Sequence, residues 1–322
     1  MRAAIVQMSG GHPECGEFAE PIVTEGRELV DLVASGIHPV VRSLATGRHY
    51  GSTGSWPLIP GVDAVARTAD GSLIYTGFVE APYGTLAERM AVPAALRLTL
   101  PPGADPVAVA GGVNPGLASW LPLRARLEQR PALGTVLVLG ATGVAGQLAV
   151  QNAFLCGATR VIAAGRNPAA LERVAAAGAV PVPLAGDRAQ DIAALSAAFG
   201  GQPPELILDF TWGLPAEATF AALQRHGLEE DTADIAYVEI GAMAGPEAAL
   251  PAALLRSRRI RISGSGAGSS SLANLAAQVP GYLQLIADGR IAPPTRVFPL
   301  SQISAAWDAA STSGTRVVVV PS

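Results

Sequence analysis

The chain has 322 residues, a formal net charge of −4, and 22 Lys plus Arg residues of which every one is arginine. Without lysine there is no Walker-type phosphate loop and no Schiff-base chemistry, so a bound anion must be held by arginine, hydroxyls, backbone N–H groups or a helix N-terminus. With 49% hydrophobic residues, 15% charged residues and two cysteines, the composition excludes a disordered chain, a disulfide framework and a four-cysteine zinc site.

One large domain or two ordinary ones fit the length, and so few cysteines suit a reducing, cytoplasmic compartment. The opening residues MRAAIVQM predict a first strand rather than a signal peptide, because the apolar run is short and soon meets Glu14 and Glu17. Residues 1 to about 118 read as short strands between Gly/Pro turns: LVDLVASGI, GVDAVARTADGSLIYTGF and GTLAERMAVP, with alternation at Asp63–Arg67 and a turn at Asp70-Gly71. After Pro115, GLASWLPLRARLEQR carries helical spacing. The uncharged stretch from Pro131 to Thr159 contains Gln147, Gln151, Asn152 and several glycines, and divides into a strand, a turn and a helix instead of a membrane span.

Strands and helices then alternate through TVLVLG, RVIAAG, PVPLA, ELILDF, AYVEIGA and RIRISGSG. Near-continuous apolar strands in a βαβ rhythm predict a parallel sheet covered on both faces. The run from Arg256 to Arg261 is strongly basic. In an acidic chain it reads as a solvated strand edge or subunit interface, not a nucleic-acid surface. The tail supplies a helix (LANLAAQVPGYLQLIADG), a strand (RVFPL), a short helix (SAAWDAAS) and a last strand (RVVVVP).

The most informative stretch is Thr135–Arg166. A buried strand enters the turn Gly140-Ala-Thr142-Gly143-Val144-Ala-Gly146, which opens a helix. Free N–H groups and the positive helix end stabilise a pyrophosphate there. Gly143 lets backbone approach phosphate, and Gly146 lets the helix pack closely on the strand. The strict G-x-G-x-x-G pattern is broken by Ala141, with Gly140 just before it. Inside a βαβ unit this turn still predicts dinucleotide binding. An NAD site has an acid at the end of the second strand, whereas here stand Gly165-Arg166-Asn167. Gly165 leaves room for a 2′-phosphate and Arg166 pairs with it, so NADP(H) is the expected cofactor.

The segments MRAAIVQ, Pro60-Gly61-Val62-Asp63, GTLAERMAVP, VLVLGATGVAG, YVEIGAMAG and FPLSQISAAWDAASTSGTRVVVVP resemble the medium-chain dehydrogenase/reductase superfamily, in its zinc-free quinone oxidoreductase-like branch. The resemblance implies an α/β chain with a GroES-like β-rich catalytic lobe from residues 1–118 and 267–322, and a doubly wound Rossmann sheet over 119–266. Zinc relatives carry a cysteine ligand in an early Gly-x-Cys-x-x-Asp segment and a Gly-His-Glu sequence; here these are Gly36-Ile37-His38-Pro39 and Gly61-Val62-Asp63. No metal is therefore expected.

In this family the reduced nicotinamide passes hydride to an acceptor conjugated to a carbonyl, and some members use a tyrosine as acid. The resemblance points to Tyr50 or His49, Ser43 standing at the family's first tyrosine position, while a tyrosine phenol keeps its proton at neutral pH. Asn114 is a candidate for binding a carbonyl or the nicotinamide amide, or alternatively for capping the helix after it. Ser119 is a candidate hydroxyl beside the nicotinamide. Family position also assigns Phe210, Thr211, Gly241, Ala242, Ser265 and Gly266 to cofactor contacts. The expected activity is NADPH-dependent reduction of a small electrophilic acceptor (a quinone, enone or enoyl thioester) by a homodimer with no nucleic-acid or membrane partner. The alternatives are a catalytically silent NADPH-binding sensor and a zinc-free alcohol or carbonyl oxidoreductase.

Overall fold

The computed structural model describes every residue except Ala267, Ser270 and Ser313, together with the side chain of Leu272. Two residues of the GSGAGSSS loop thus lie outside the described residues. In chain order come β1 (Arg2–Ile5), β2 (Glu14–Glu17), β3 (Arg27–Gly36), α1 (Pro39–Ala45), β4 (Asp63–Arg67), β5 (Leu73–Gly77), β6 (Arg89–Pro93), β7 (Leu98–Thr99) and α2 (Pro106–Gln129). There follow β8 (Thr135–Leu139), α3 (Val144–Leu155), β9 (Arg160–Gly165), α4 (Pro168–Ala176), β10 (Val180–Pro183), α5 (Arg188–Phe199), β11 (Leu206–Asp209), α6 (Gly213–Ala222), β12 (Ile235–Glu239), α7 (Ala252–Ser257) and β13 (Ile260–Gly264). The chain ends with α8 (Leu272–Ala287), β14 (Thr295–Pro299), α9 (Ile303–Ala309) and β15 (Arg316–Val320).

These elements form two compact units, Met1–Pro115 with Ala276–Ser322, and Gly116–Leu275. The first unit is β-rich. Its larger sheet runs β14-β15-β3-β4-β5-β7, with β6 also pairing β3, and every pairing but β14–β15 is antiparallel. Val41, Ile59, Leu86, Phe298 and Trp307 share one core, while Val30, Ile74 and Met90 share another. Asp63 to Ala66 in β4 are all buried and only Arg67 is exposed, so the alternation expected there is absent. Strand β4 lies between β3 and β5, and neither face is left to water.

Helix α2 begins at Pro106, not after Pro115. Asp105 caps it, its carboxylate accepting from Val107 N at 3.0 Å and Ala108 N at 3.3 Å. Asn114 therefore lies inside the helix and does not cap it. Helix α1 fills a segment in which no helix was expected.

The second unit is a six-stranded parallel sheet in the order β10-β9-β8-β11-β12-β13. The order reverses between β8 and β11, which is the doubly wound Rossmann arrangement. On one face Val136, Val138, Val161, Ala163 and Leu208 pack with Leu123 of α2, Ala149 of α3 and Leu171 of α4. On the other, Leu137, Ile162, Ile207 and Tyr237 pack with Leu195 of α5, Phe220 of α6 and Leu254 of α7. Leu137, Leu139, Leu206, Ile207 and Leu208 are wholly buried. At about 25 cal/mol per Å² of apolar surface, such double-sided burial is the main force holding the sheet. Among the described residues no helix is long and apolar enough to cross a membrane.

Candidate functional site

Ligands of such sheets bind outside the carboxyl ends of the strands, at the point where strand order reverses. Here that point joins the ends of β8 and β11. Gly140 leaves β8 with φ +84°, and a Cβ at this residue would stand 2.9 Å from Thr211 Cγ2 and 3.3 Å from Phe210 Cβ. At Gly146 a Cβ would stand 2.2 Å from the Gly140 carbonyl oxygen and 2.6 Å from Ala141 Cα, so α3 touches the turn backbone to backbone. Gly143 differs. Its φ of −77° suits any residue, and the nearest atom to an added Cβ is Gly140 O at 3.6 Å, an ordinary contact.

Nothing in the packing around Gly143 demands a glycine there; a ligand approaching the backbone closely would. Gly143 is also the N-cap of α3 and offers no side chain to the N–H groups of the first turn, whereas Asn167 caps α4 through Ala170 N (3.1 Å) and Asp187 caps α5. An uncapped helix end, a backbone open to contact and a positive dipole fit a pyrophosphate.

Of the other expected site residues, Gly165 ends β9 beneath the turn. A Cβ there would stand 2.5 Å from Thr142 Cγ2, so this glycine serves the packing of the turn on β9. Arg166 is exposed beside it. Ala244 N donates to Thr211 O at 2.7 Å, and an added Cβ on Gly241 would lie 3.3 Å from Phe210 O. Ser265 N donates to Glu239 O at 2.8 Å, and Gly266 N to Ser269 Oγ at 2.7 Å. The turn residues Thr142 and Val144, the Phe210-Thr211 pair and the Gly241-Ala242 loop thus collect at one end of the sheet. Ser119 is not part of it. It is wholly buried, donates to Gly116 O at 3.1 Å and accepts from Asn152 Nδ2 at 2.9 Å.

This end of the sheet also carries carboxylates that no sequence motif marks. Asp209 closes β11, is wholly buried, and Tyr237 OH donates to its Oδ2 at 2.5 Å. Burial, with Asp209 alongside, pushes the Tyr237 phenol well above its usual range. Glu239 stands opposite Asp209 in the β11–β12 register, and burial followed by that neighbouring carboxylate raises its pKa. A lone Asp at a strand end has no spacing signature.

In the first unit, Tyr50 is 79% exposed and its ring lies 4.1 Å from that of His49. His49 Nδ1 accepts from Gly51 N at 3.0 Å, which places the proton on Nε2, and partial burial lowers its pKa, so it is neutral at pH 7. Asn114 is partly buried within α2. More unexpected is His38, 1% exposed, with Nε2 3.1 Å from Asp63 Oδ1. Asp63 Oδ2 accepts from Tyr75 OH at 2.9 Å, and its carbonyl oxygen accepts from the hydroxyls of Ser35 (2.9 Å) and Thr85 (3.1 Å). Buried Arg316 donates to Ile37 O at 2.9 Å, and burial lowers its pKa to about 10. A Cβ on Gly36 would stand 2.6 Å from His38 Nε2 and from Ala110 O, which explains that glycine.

No family model matches the sequence. A probable NADPH-dependent quinone reductase of Emericella nidulans is 28% identical over the full length of both chains. The quinone oxidoreductase of Thermus thermophilus, whose complex with NADPH has been solved, is 28% identical with a TM-score of 0.80 over 99% of this chain and all of its own. An alcohol dehydrogenase superfamily protein of Novosphingobium aromaticivorans gives a TM-score of 0.81 at 24% identity over the whole of both chains. In sequence and fold the chain is similar to quinone oxidoreductase-like proteins of the medium-chain dehydrogenase/reductase superfamily.

The chain's departures from the zinc-dependent relatives have a physical form. The two stretches where zinc relatives carry ligands meet as the His38–Asp63 pair. Among the described residues no three His, Cys, Asp or Glu side chains are grouped to hold a metal ion. Cys156, half-buried, has its thiol pushed up to about 11 by burial, so it stays protonated. Two arginines of the basic run make ion pairs: Arg258 with Asp231 at 3.2 Å and Arg261 with Asp234 at 2.9 Å.

Proposed function

We propose that this quinone oxidoreductase-like protein is an NADPH-dependent oxidoreductase that reduces a quinone or an α,β-unsaturated carbonyl compound. The observation that carries the reading is Gly143, a glycine the protein's own packing does not need, at an uncapped helix start on the switch point of the sheet. The names of the Emericella and Thermus relatives support NADPH and a quinone. The cofactor's part is hydride donation from reduced nicotinamide.

Every other role falls to this chain. Gly140, Thr142, Gly143, Val144 and Gly146 form the turn that binds pyrophosphate, its charge met by the end of α3. Arg166, with no acid at the end of β9 to oppose it, pairs with the 2′-phosphate, and Asn167 fixes the loop by capping α4. Gly165 lets the turn settle on β9. Phe210, Thr211, Gly241, Ala242, Ser265 and Gly266 border the nicotinamide end. His49, neutral and with Nδ1 already engaged, offers only Nε2–H, so Tyr50 or water returns the proton while His49 holds the phenol by stacking. Asn114 donates its amide N–H to the acceptor carbonyl. The outer edge of β13 carries a homodimer contact, which sedimentation checks by giving twice the chain mass.

Mixing the purified protein with NADPH and a panel of quinones, enones and enoyl thioesters tests the reading through loss of reduced-nicotinamide absorbance. Turnover with at least one quinone or enone is expected. Silence across the panel from a protein that binds NADPH favours the sensor reading, which rests on Ser43 standing at the family's tyrosine position.

A further inference from the structure

The turn after β11 is held by a single side chain. Asp209 Oδ1 accepts from Thr211 N (2.7 Å), Thr211 Oγ1 (2.7 Å) and Trp212 N (3.0 Å). Oδ2 accepts from Tyr237 OH, and the Asp209 carbonyl accepts from Ile240 N at 2.7 Å and Gly241 N at 3.2 Å. The held turn is costly. Trp212 has φ +51° and ψ −155°, Gly213 follows at φ +54°, and among the described residues only Phe78 is another non-glycine with positive φ. A bulky side chain in that region costs on the order of 1–3 kcal/mol and persists only where its surroundings impose it.

What imposes it here is visible. The Trp212 ring packs edge-on against Phe220 and against Tyr237, the same tyrosine that binds Asp209. What it achieves is the seating of Thr211. The Thr211 methyl lies against Gly140 of the glycine turn, and the Thr211 carbonyl takes the amide of Ala244 in the loop after β12.

We propose that Asp209 is a positioning residue for the dinucleotide: by clamping the strained Thr211-Trp212 turn against Gly140 and holding the Gly241 loop through its carbonyl, it sets cofactor affinity. This rests on the proposed NADPH function and adds a residue that touches no cofactor itself. Loss of the clamp lets Trp212 relax to an ordinary conformation and withdraws Thr211 from the glycine turn.

The test measures NADPH dissociation constants by titration and amide exchange in the free protein, for wild type, Asp209→Ala, Asp209→Asn and Leu195→Ala. Leu195 is wholly buried in the core beneath this sheet face and serves as a destabilising control. Asp209→Ala is expected to weaken NADPH about 10-fold or more, as loss of charge-assisted hydrogen bonds predicts, and to speed exchange at Thr211 and Trp212. Asp209→Asn keeps one acceptor oxygen for those amides and is expected to recover most of the affinity. Leu195→Ala is expected to lose thermal stability with affinity unchanged. Should Asp209→Ala fail to fold, Thr211→Val, which deletes only the hydroxyl bond to Asp209, is expected to raise the dissociation constant about 3-fold. Equal affinity in wild type and in Asp209→Ala (or Thr211→Val), or an equal loss in Leu195→Ala, overturns the inference alone. A wild-type protein that binds no NADPH overturns the proposed function and this inference together.

Discussion

Gly143 and Gly146 stand at the start of one helix and answer to different demands. At Gly146 an added methyl meets backbone atoms of Gly140 and Ala141 that cannot yield unless α3 lifts from β8. Gly146→Ala is expected to cost about 1–3 kcal/mol. Thermal melting should show a fall of several degrees. At Gly143 the same methyl finds ordinary contact. The gain from a stiffer unfolded chain and the loss of a favoured N-cap residue nearly cancel, leaving Gly143→Ala within about 0.5 kcal/mol of wild type. Its NADPH affinity, however, should fall about 10-fold or more, because the methyl stands where phosphate must reach the backbone. Arg166→Ala should leave melting unchanged and reduce the preference for NADPH over NADH about 10-fold, read from the two dissociation constants.

Among elements, the ends of α2, β12 and β13 within the second unit meet on one carboxylate. Asp234 takes Arg126 at 3.3 Å and Arg261 at 2.9 Å, and pairs with Arg130 as well. Burial would raise its pKa, but Arg130, Arg126 and Arg261 outweigh burial and hold it below the usual carboxylate range. Arg126 is only 4% exposed, with Nε and Nη1 unpartnered, so Asp234→Ala removes its counter-charge and leaves the buried guanidinium only the residue-234 carbonyl, 2.6 Å from Nη2. The expected loss is about 3 kcal/mol. A denaturant melt in which Asp234→Ala matches wild type would contradict it.

The elements also show what was legible beforehand. TVLVLG and its glycine turn announced β8 and α3, since a continuous apolar run ending in closely spaced glycines has few other folds. The start of α2 was hidden because Gly111, Gly112 and Pro115 read as a loop. Those two glycines are helical, and they sit where an added Cβ would come within 2.6 Å of Thr295 and 2.9 Å of Pro293. Tertiary contact chose them over helix propensity. Asp209 and the His38–Asp63 pair escaped notice for a related reason, being single residues made significant by partners distant in sequence.

For the molecule as a whole, the His38 group links folding to pH. Burial lowers the His38 pKa, Asp63 opposes this, and Arg316 adds to it. Tyr75 OH also contacts Asp63, donating to Oδ2 at 2.9 Å. The unfolded histidine, near 6.5, takes up a proton more readily than the folded one. The neutral form's contribution to stability is therefore complete above pH about 6.5 and is lost as pH falls below that value toward the folded pKa. Melting temperature should drop between pH 7 and 5, and His38→Leu should flatten that drop. An unchanged profile in the variant would show that the acid sensitivity lies elsewhere.

NADPH binding at the switch point of the parallel sheet, through the glycine turn and Arg166, can be measured in solution. Titration of wild type and Gly143→Ala with NADPH and NADH tests it most directly. Wild type is expected to bind NADPH at least about 10-fold more tightly than NADH, and Gly143→Ala to lose this binding at unchanged melting temperature. A wild type that binds neither nucleotide, or a Gly143→Ala protein that binds NADPH as wild type does, would contradict it.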